Sequence, residues 1–87
     1  MRYIYVLISR LDKKLYIGYT KNLKLRFEQH NKGLVRSTKN RRPFDLIYYE
    51  ACLSQTDATS REKYLKTTCG HRFLKQRLKS YFTGLTP

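Results

Sequence analysis

The first apolar run, YIYVLIS at residues 3–9, is dense in β-branched and aromatic side chains and predicts a strand. After the turn-forming LDKK at 11–14, LYIGYT at 15–20 predicts a second. A two-residue turn, at Asp12–Lys13 or Leu11–Asp12, makes the two a hairpin. Strand parity then puts Tyr5, Leu7, Tyr16 and Gly18 on one face. A three-residue loop would reverse that result unless a bulge restored it. Gly18 has no side chain to pack, which marks a place where another group approaches the backbone closely.

The period then changes from two to that of a helix. Leu23 and Phe27 stand four apart, on the side expected to face the core, in a helix capped by Thr20 or Asn22. It runs to about Asn31, with Gly33 as its stop. Arg26 and His30 are also four apart, on a neighbouring stripe. KGLVRSTKNRRP, residues 32–43, carries five basic residues and no acid, and predicts a loop that lies against phosphates or in solvent. FDLIYYE at 44–50 predicts a third strand. SQTDATSREKYLKT at 54–67 predicts a second helix, with Ala58, Tyr64 and Leu65 at helical spacing. Gly70 separates it from HRFLKQRLKSYF, where Phe73, Leu74, Leu78 and Tyr81 form the last stripe. The expected fold is α+β in the order β-β-α-β-α-α. One domain spans residues 1–87, with a small three-stranded sheet flanked by three helices. The helices are required, since a bare sheet of this size is not stable.

Charge changes the picture. With 19 Lys+Arg against 6 Asp+Glu, the 87-residue chain carries a net charge of +13. A compact chain so charged repels itself, and its usual partner is a polyanion. The basic residues are spread along the chain and accompanied by eight tyrosines, which suits a folded nucleic-acid surface better than a polybasic membrane anchor. No stretch approaches the roughly 18 apolar residues of a membrane span, and no signal-peptide core is present, so the expectation is a soluble cytoplasmic protein. Cys52 and Cys69 match no zinc spacing and are expected as reduced thiols.

Chemistry has few candidates. There is no glycine-rich phosphate loop and no carboxylate pair for a two-metal site. Of the six acids, Glu62 is the best placed to hold a single divalent metal, because its helix must pack on the sheet. The plain alternative is a Glu62–Lys66 surface pair at i, i+4. Tyr5 and Tyr16 on one face could be core aromatics. As a base, a phenol with a pKa of about 10 needs about 4 kcal/mol of help to ionise at pH 7. Arg26 and a metal would supply help of that kind, and His30 could relay the proton.

These residues carry a resemblance. YIY at 3–5 followed by YIG at 16–18 resembles the GIY-YIG nuclease family. TKNLKLRFEQHNKG (20–33), STKNRRPFDLIYYE (37–50) and SREKYLKTTCGHRFLKQRLKSY (60–81) are similar to its small single-domain bacterial members. The resemblance also extends to the nuclease domain of the nucleotide-excision repair endonuclease. It implies a three-stranded antiparallel sheet and a metal-dependent endonuclease acting on DNA phosphodiesters. It further implies that Tyr5 and Tyr16 orient and deprotonate a water, and that Arg26 holds the scissile phosphate. His30 would assist, and Glu62 would bind one Mg²⁺ or Mn²⁺. Three positions depart from the family pattern. Tyr3 replaces the first glycine, and Tyr19 stands where the repair nucleases have lysine. Gln76 is the nearest counterpart of an asparagine in the last helix. Lys21, Arg36, Lys39, Arg41, Arg42, Lys66 and Gln76 are the expected nucleic-acid contacts.

The expected substrate is DNA rather than RNA, with single-stranded or structured DNA favoured because unpaired bases stack on exposed tyrosines. Specificity is then low or supplied by a protein partner. The alternative readings are a non-catalytic nucleic-acid-binding module and an RNA-associated basic protein.

Overall fold

The computed structural model describes residues 1–84. In order come β1 (Arg2–Ser9), β2 (Leu15–Thr20), α1 (Leu23–Asn31), β3 (Phe44–Cys52), α2 (Gln55–Leu65), α3 (Thr68–Arg77) and α4 (Lys79–Thr83). A single 3₁₀ turn, Lys39–Arg41, precedes β3. The sheet is antiparallel with β1 at its centre, in the order β2-β1-β3. This is the expected α+β arrangement. Its last predicted helix breaks at Leu78 into α3 and the short α4.

The hairpin loop differs from the expected two residues. Ser9 and Lys14 close it by a backbone hydrogen bond, leaving residues 10–13 in the loop. An even count preserves parity, so Tyr5 pairs with Gly18 and Leu7 with Tyr16, all on one face. The buried Ser9 hydroxyl organises the loop. It accepts from the Leu11 and Asp12 amides and donates to the Arg41 carbonyl at 2.6 Å. The hairpin tip is thereby tied to the basic 32–43 segment.

The two faces of the sheet carry different layers. Ile4, Val6 and Ile17 pack against Ala58 and Leu65 of α2 and Leu74 of α3. Tyr5, Leu7 and Phe44 pack on the other face, against Leu23 and Phe27 of α1. Each fully buried aliphatic or aromatic side chain contributes on the order of 1.5–3 kcal/mol, so both layers are needed in a chain this small.

Gly70 does not separate two helices as its residue type suggests. The break lies at Lys66–Thr67, where Thr67 caps α3 by accepting from the Gly70 amide at 3.1 Å. Gly70 sits inside α3, where a β-carbon would collide with the Tyr64 carbonyl oxygen and the Leu65 backbone. The glycine is a packing device that lets α3 close against the end of α2. Asn22 caps α1 and Ser54 caps α2 in the same way, each cap contributing about 1 kcal/mol. Asn31 joins α1 to β3 by bonding both the amide (2.7 Å) and the carbonyl (3.1 Å) of Phe44.

Candidate active site

The site begins with two tyrosines and a missing side chain. Tyr5 is 1% exposed, on the central strand. Its phenol lies across the ladder over Gly18, where a β-carbon would meet the hydroxyl oxygen and Cζ at prohibitive range. The group that approaches the Gly18 backbone is therefore Tyr5 itself. Tyr16, two residues before the glycine on β2, shares the face, with its ring 6.4 Å from that of Tyr5.

His30 completes the cluster from the last turn of α1. It is wholly buried, and its ring stands 5.6 Å from Tyr5, 5.0 Å from Tyr16 and 6.0 Å from Phe44, edge to face in each case. Its Nε2 is 2.8 Å from the Tyr5 hydroxyl, and its Nδ1 is 2.8 Å from Thr38 Oγ1. The Thr38 hydroxyl is placed to donate to the Val35 carbonyl at 3.4 Å. A hydroxyl that gives its proton to Val35 can only accept from Nδ1–H, which leaves the Nε2 lone pair facing the Tyr5 O–H. Burial, reinforced by the charge of Arg26, pushes the His30 pKa down to about 4. The imidazole is thus neutral at pH 7, and its Nε2 can accept a hydrogen bond from the Tyr5 hydroxyl.

Arg26 and Glu62 bring charge to this cluster. Burial raises the Tyr5 pKa. The positive charge of Arg26 acts against that rise, while Tyr16 and Glu62 add to it. Three residues from three elements are thus close enough to influence one phenol. Arg26, four residues before His30 on α1, is steadied by donating from Nη1 to Gln29 Oε1 at 3.4 Å. Among the described residues it has no acidic partner.

Glu62 is half-buried on α2 and forms the expected i, i+4 pair with Lys66, at 3.0 Å. Its neighbour Arg61 fixes the helix to β3. The guanidinium binds Glu50 through two bonds (2.9 and 3.0 Å) and lies 4.7 Å over the Phe73 ring. Among the described residues no group of three or more His, Cys, Asp and Glu side chains could enclose a metal. A lone carboxylate does suit Mg²⁺ or Mn²⁺ bound jointly with a substrate phosphate and waters, the usual mode for such ions at phosphate sites. Glu62 is the residue that would hold it.

The expected nucleic-acid contacts are dispersed. Lys21 lines a cavity beside α1. Arg36 and Lys39 are exposed in the basic segment. Arg41 is committed to structure, pairing with Asp12 at 2.7 Å and covering the Phe44 ring at 5.6 Å. Arg42 donates to the Lys39 carbonyl and packs over Gly33. Lys66 is held by Glu62. Gln76 is exposed on α3, in an open cleft with Tyr64, Arg72, Lys75 and Lys79, with no hydrogen bond to the tyrosine–histidine cluster among the described residues.

Thr38 and Arg61 are the contributors that the sequence pattern did not single out. Thr38 lies in a loop without periodicity, and Arg61 is one of several charged residues on its helix. Cys52 and Cys69 are unpaired, as expected. Among the described residues no helix is long and apolar enough to cross a membrane.

Comparison with known proteins identifies the family. A family model described as the GIY-YIG catalytic domain matches residues 1–75. A UPF0213 protein of Clostridium perfringens is 40% identical over 67 residues, covering 76% of this chain and 71% of that protein. One of Pediococcus pentosaceus is 51% identical over 65 residues, covering 74% and 67% respectively. A third, of Staphylococcus haemolyticus, is 39% identical over 74 residues, covering 84% and 89%. These names state no activity. No solved structure matches the chain. With its tyrosines, histidine and arginine gathered on one face of the sheet and most of its length matched, this chain belongs to the GIY-YIG family of nucleases.

Proposed function

We propose that residues 1–87 act as one nuclease domain that hydrolyses DNA phosphodiester bonds with the help of one divalent metal. The observation that carries this reading is the bonding of His30. A wholly buried, neutral imidazole has its Nε2 2.8 Å from the Tyr5 hydroxyl, beside an arginine that has no acidic partner among the described residues. Any buried histidine needs hydrogen-bond partners; the arginine beside this one is what a phosphate site adds.

In this reading Tyr5 and Tyr16 orient and deprotonate the attacking water, and the Tyr5 proton passes to His30 Nε2 as the water gives up its own. Thr38 keeps His30 in the accepting tautomer. Arg26 holds the scissile phosphate and stabilises the charge that builds on its oxygens. The water oxygen bonds to phosphorus and the bond to the 3′ oxygen breaks. The released 3′ oxygen then takes a proton from solvent. A metal at Glu62 would neutralise negative charge on the phosphate and the leaving oxygen. The domain acts in the cytoplasm, and its targeting to particular DNA is left to weak intrinsic preference or to a partner protein.

The test is cleavage of end-labelled single-stranded and duplex oligonucleotides with Mg²⁺, with Mn²⁺ and with chelator. Metal-dependent cutting is the expected result. Absence of cutting under every condition would leave the non-catalytic binding module as the better reading.

A further inference from the structure

Beside the tyrosine–histidine cluster, on the same face of the sheet, lies a cavity of about 500 Å³ that the proposed chemistry does not use. Its walls are Tyr3, Leu46 and Tyr49 from the sheet and Leu23 and Phe27 from α1, and Lys21 and Lys24 stand at its mouth. Its size falls within the roughly 300–1,000 Å³ of sites that take small organic groups.

Its position follows from strand register. Tyr5 on β1 faces Gly18 of β2 on one side and Tyr49 of β3 on the other. Tyr3 is two residues before Tyr5 on the same face. The cavity thus adjoins the layer that holds Tyr5, and Leu23, Phe27 and Leu46 belong to both. Tyr49 is 53% exposed although its ring packs edge to face on Tyr3, 6.0 Å between centroids. A large aromatic left half in water beside a cavity is a surface awaiting a flat apolar partner.

The charge is equally one-sided. No acidic side chain lines the cavity, and neither Lys21 nor Lys24 has an ion-pair partner among the described residues. Aromatic walls with unpaired lysines at the rim match the chemistry of a nucleotide, whose base has a π-face and whose phosphate is an anion. They do not suit a second copy of this chain, which would bring the same excess of positive charge to the contact.

We infer that the Tyr3–Tyr49 cavity binds an unpaired base of the DNA strand next to the scissile phosphate, while Lys21 and Lys24 hold the adjoining phosphates. This rests on the proposed nuclease function and adds to it a reason for preferring single strands. A base held in a duplex is stacked on its neighbours and cannot present its face to Tyr49.

The test compares two oligomers of equal charge in chelator, a twelve-residue thymidine strand and the same length of abasic sugar-phosphate. Wild type is expected to bind the thymidine strand about tenfold or more tightly than the abasic one. Tyr49→Ala should abolish that preference while leaving abasic binding unchanged, and Tyr49→Phe should keep it. Lys21→Ala with Lys24→Ala should weaken binding of both oligomers and flatten the salt dependence. The inference is overturned if wild type binds the two oligomers alike, or if Tyr49→Ala leaves the preference intact or weakens both equally. Cleavage is measured separately. A base preference lost in Tyr49→Ala without cutting would sink the nuclease reading and keep the base site, whereas cutting without any base preference would do the reverse.

Discussion

The Tyr5 hydroxyl and His30 Nε2 meet at 2.8 Å inside the protein, on β1 and the last turn of α1, with both side chains almost wholly out of solvent. Burial lowers the His30 pKa to about 4, so the acceptor is neutral through the physiological range. If activity requires a neutral His30, the acid limb of the pH–rate profile lies near pH 4–5 rather than at the ordinary histidine value of about 6.5. Single-turnover rates between pH 4 and 8 check this. A limb centred at 6.5 would separate His30 from the chemistry.

The same shift has a consequence for folding. The native state binds the His30 proton less readily than the unfolded chain. Its contribution is therefore complete above about pH 6.5 and is lost as pH falls through 6.5 toward 4. The size is on the order of 2–3 kcal/mol. Denaturant melts of wild type at pH 7 and pH 4.5 should show this loss, and His30→Gln should show less of it.

Thr38→Val keeps the shape of the side chain but leaves His30 Nδ1 without its partner. Unpairing a buried polar group costs about 1–3 kcal/mol. Expressed in the transition state, that is a fall in rate of roughly 5- to 150-fold. Thr38→Ser should retain most of the rate, because the hydroxyl is kept. The pH profile of Thr38→Val should also move, which a merely structural threonine would not cause.

Gly18→Ala places a methyl against the Tyr5 phenol. Overpacking of this kind costs about 1–3 kcal/mol, and cleavage should fall with it because Tyr5 must shift. In a Tyr5→Leu background the same alanine should cost much less stability. Urea denaturation of the single and double variants measures this coupling. Additive losses would mean that Gly18 serves some purpose other than making room for Tyr5.

Much of this was legible in the sequence because two elements obey simple periods. The pairing of Leu7 with Tyr16 and Tyr5 with Gly18 needed only an even hairpin loop, and the four-residue loop satisfied that as well as the expected two. The i, i+4 spacing of Arg26 and His30 placed both on one flank of α1. What periodicity cannot carry is contact between distant segments. Thr38 reaches His30 through a loop, and nothing in the spacing of residues 32–43 marks it. Gly70 read as a helix breaker, but its reason is the approach of the α2 backbone, visible only once α2 and α3 are packed. Arg41 looked available to phosphate until Asp12, brought near by the hairpin tip, took it up.

The central claim is that the Tyr5, Tyr16, Arg26, His30 and Glu62 constellation cleaves DNA with one divalent metal. Its most direct test is the single-turnover cleavage rate of wild type, Tyr16→Phe and Glu62→Gln on one labelled single strand in Mn²⁺, with folding of each variant verified by thermal melt. Wild type should cut only in the presence of metal, and each variant should lose about 10²-fold or more. Wild-type rates in both folded variants would contradict the account.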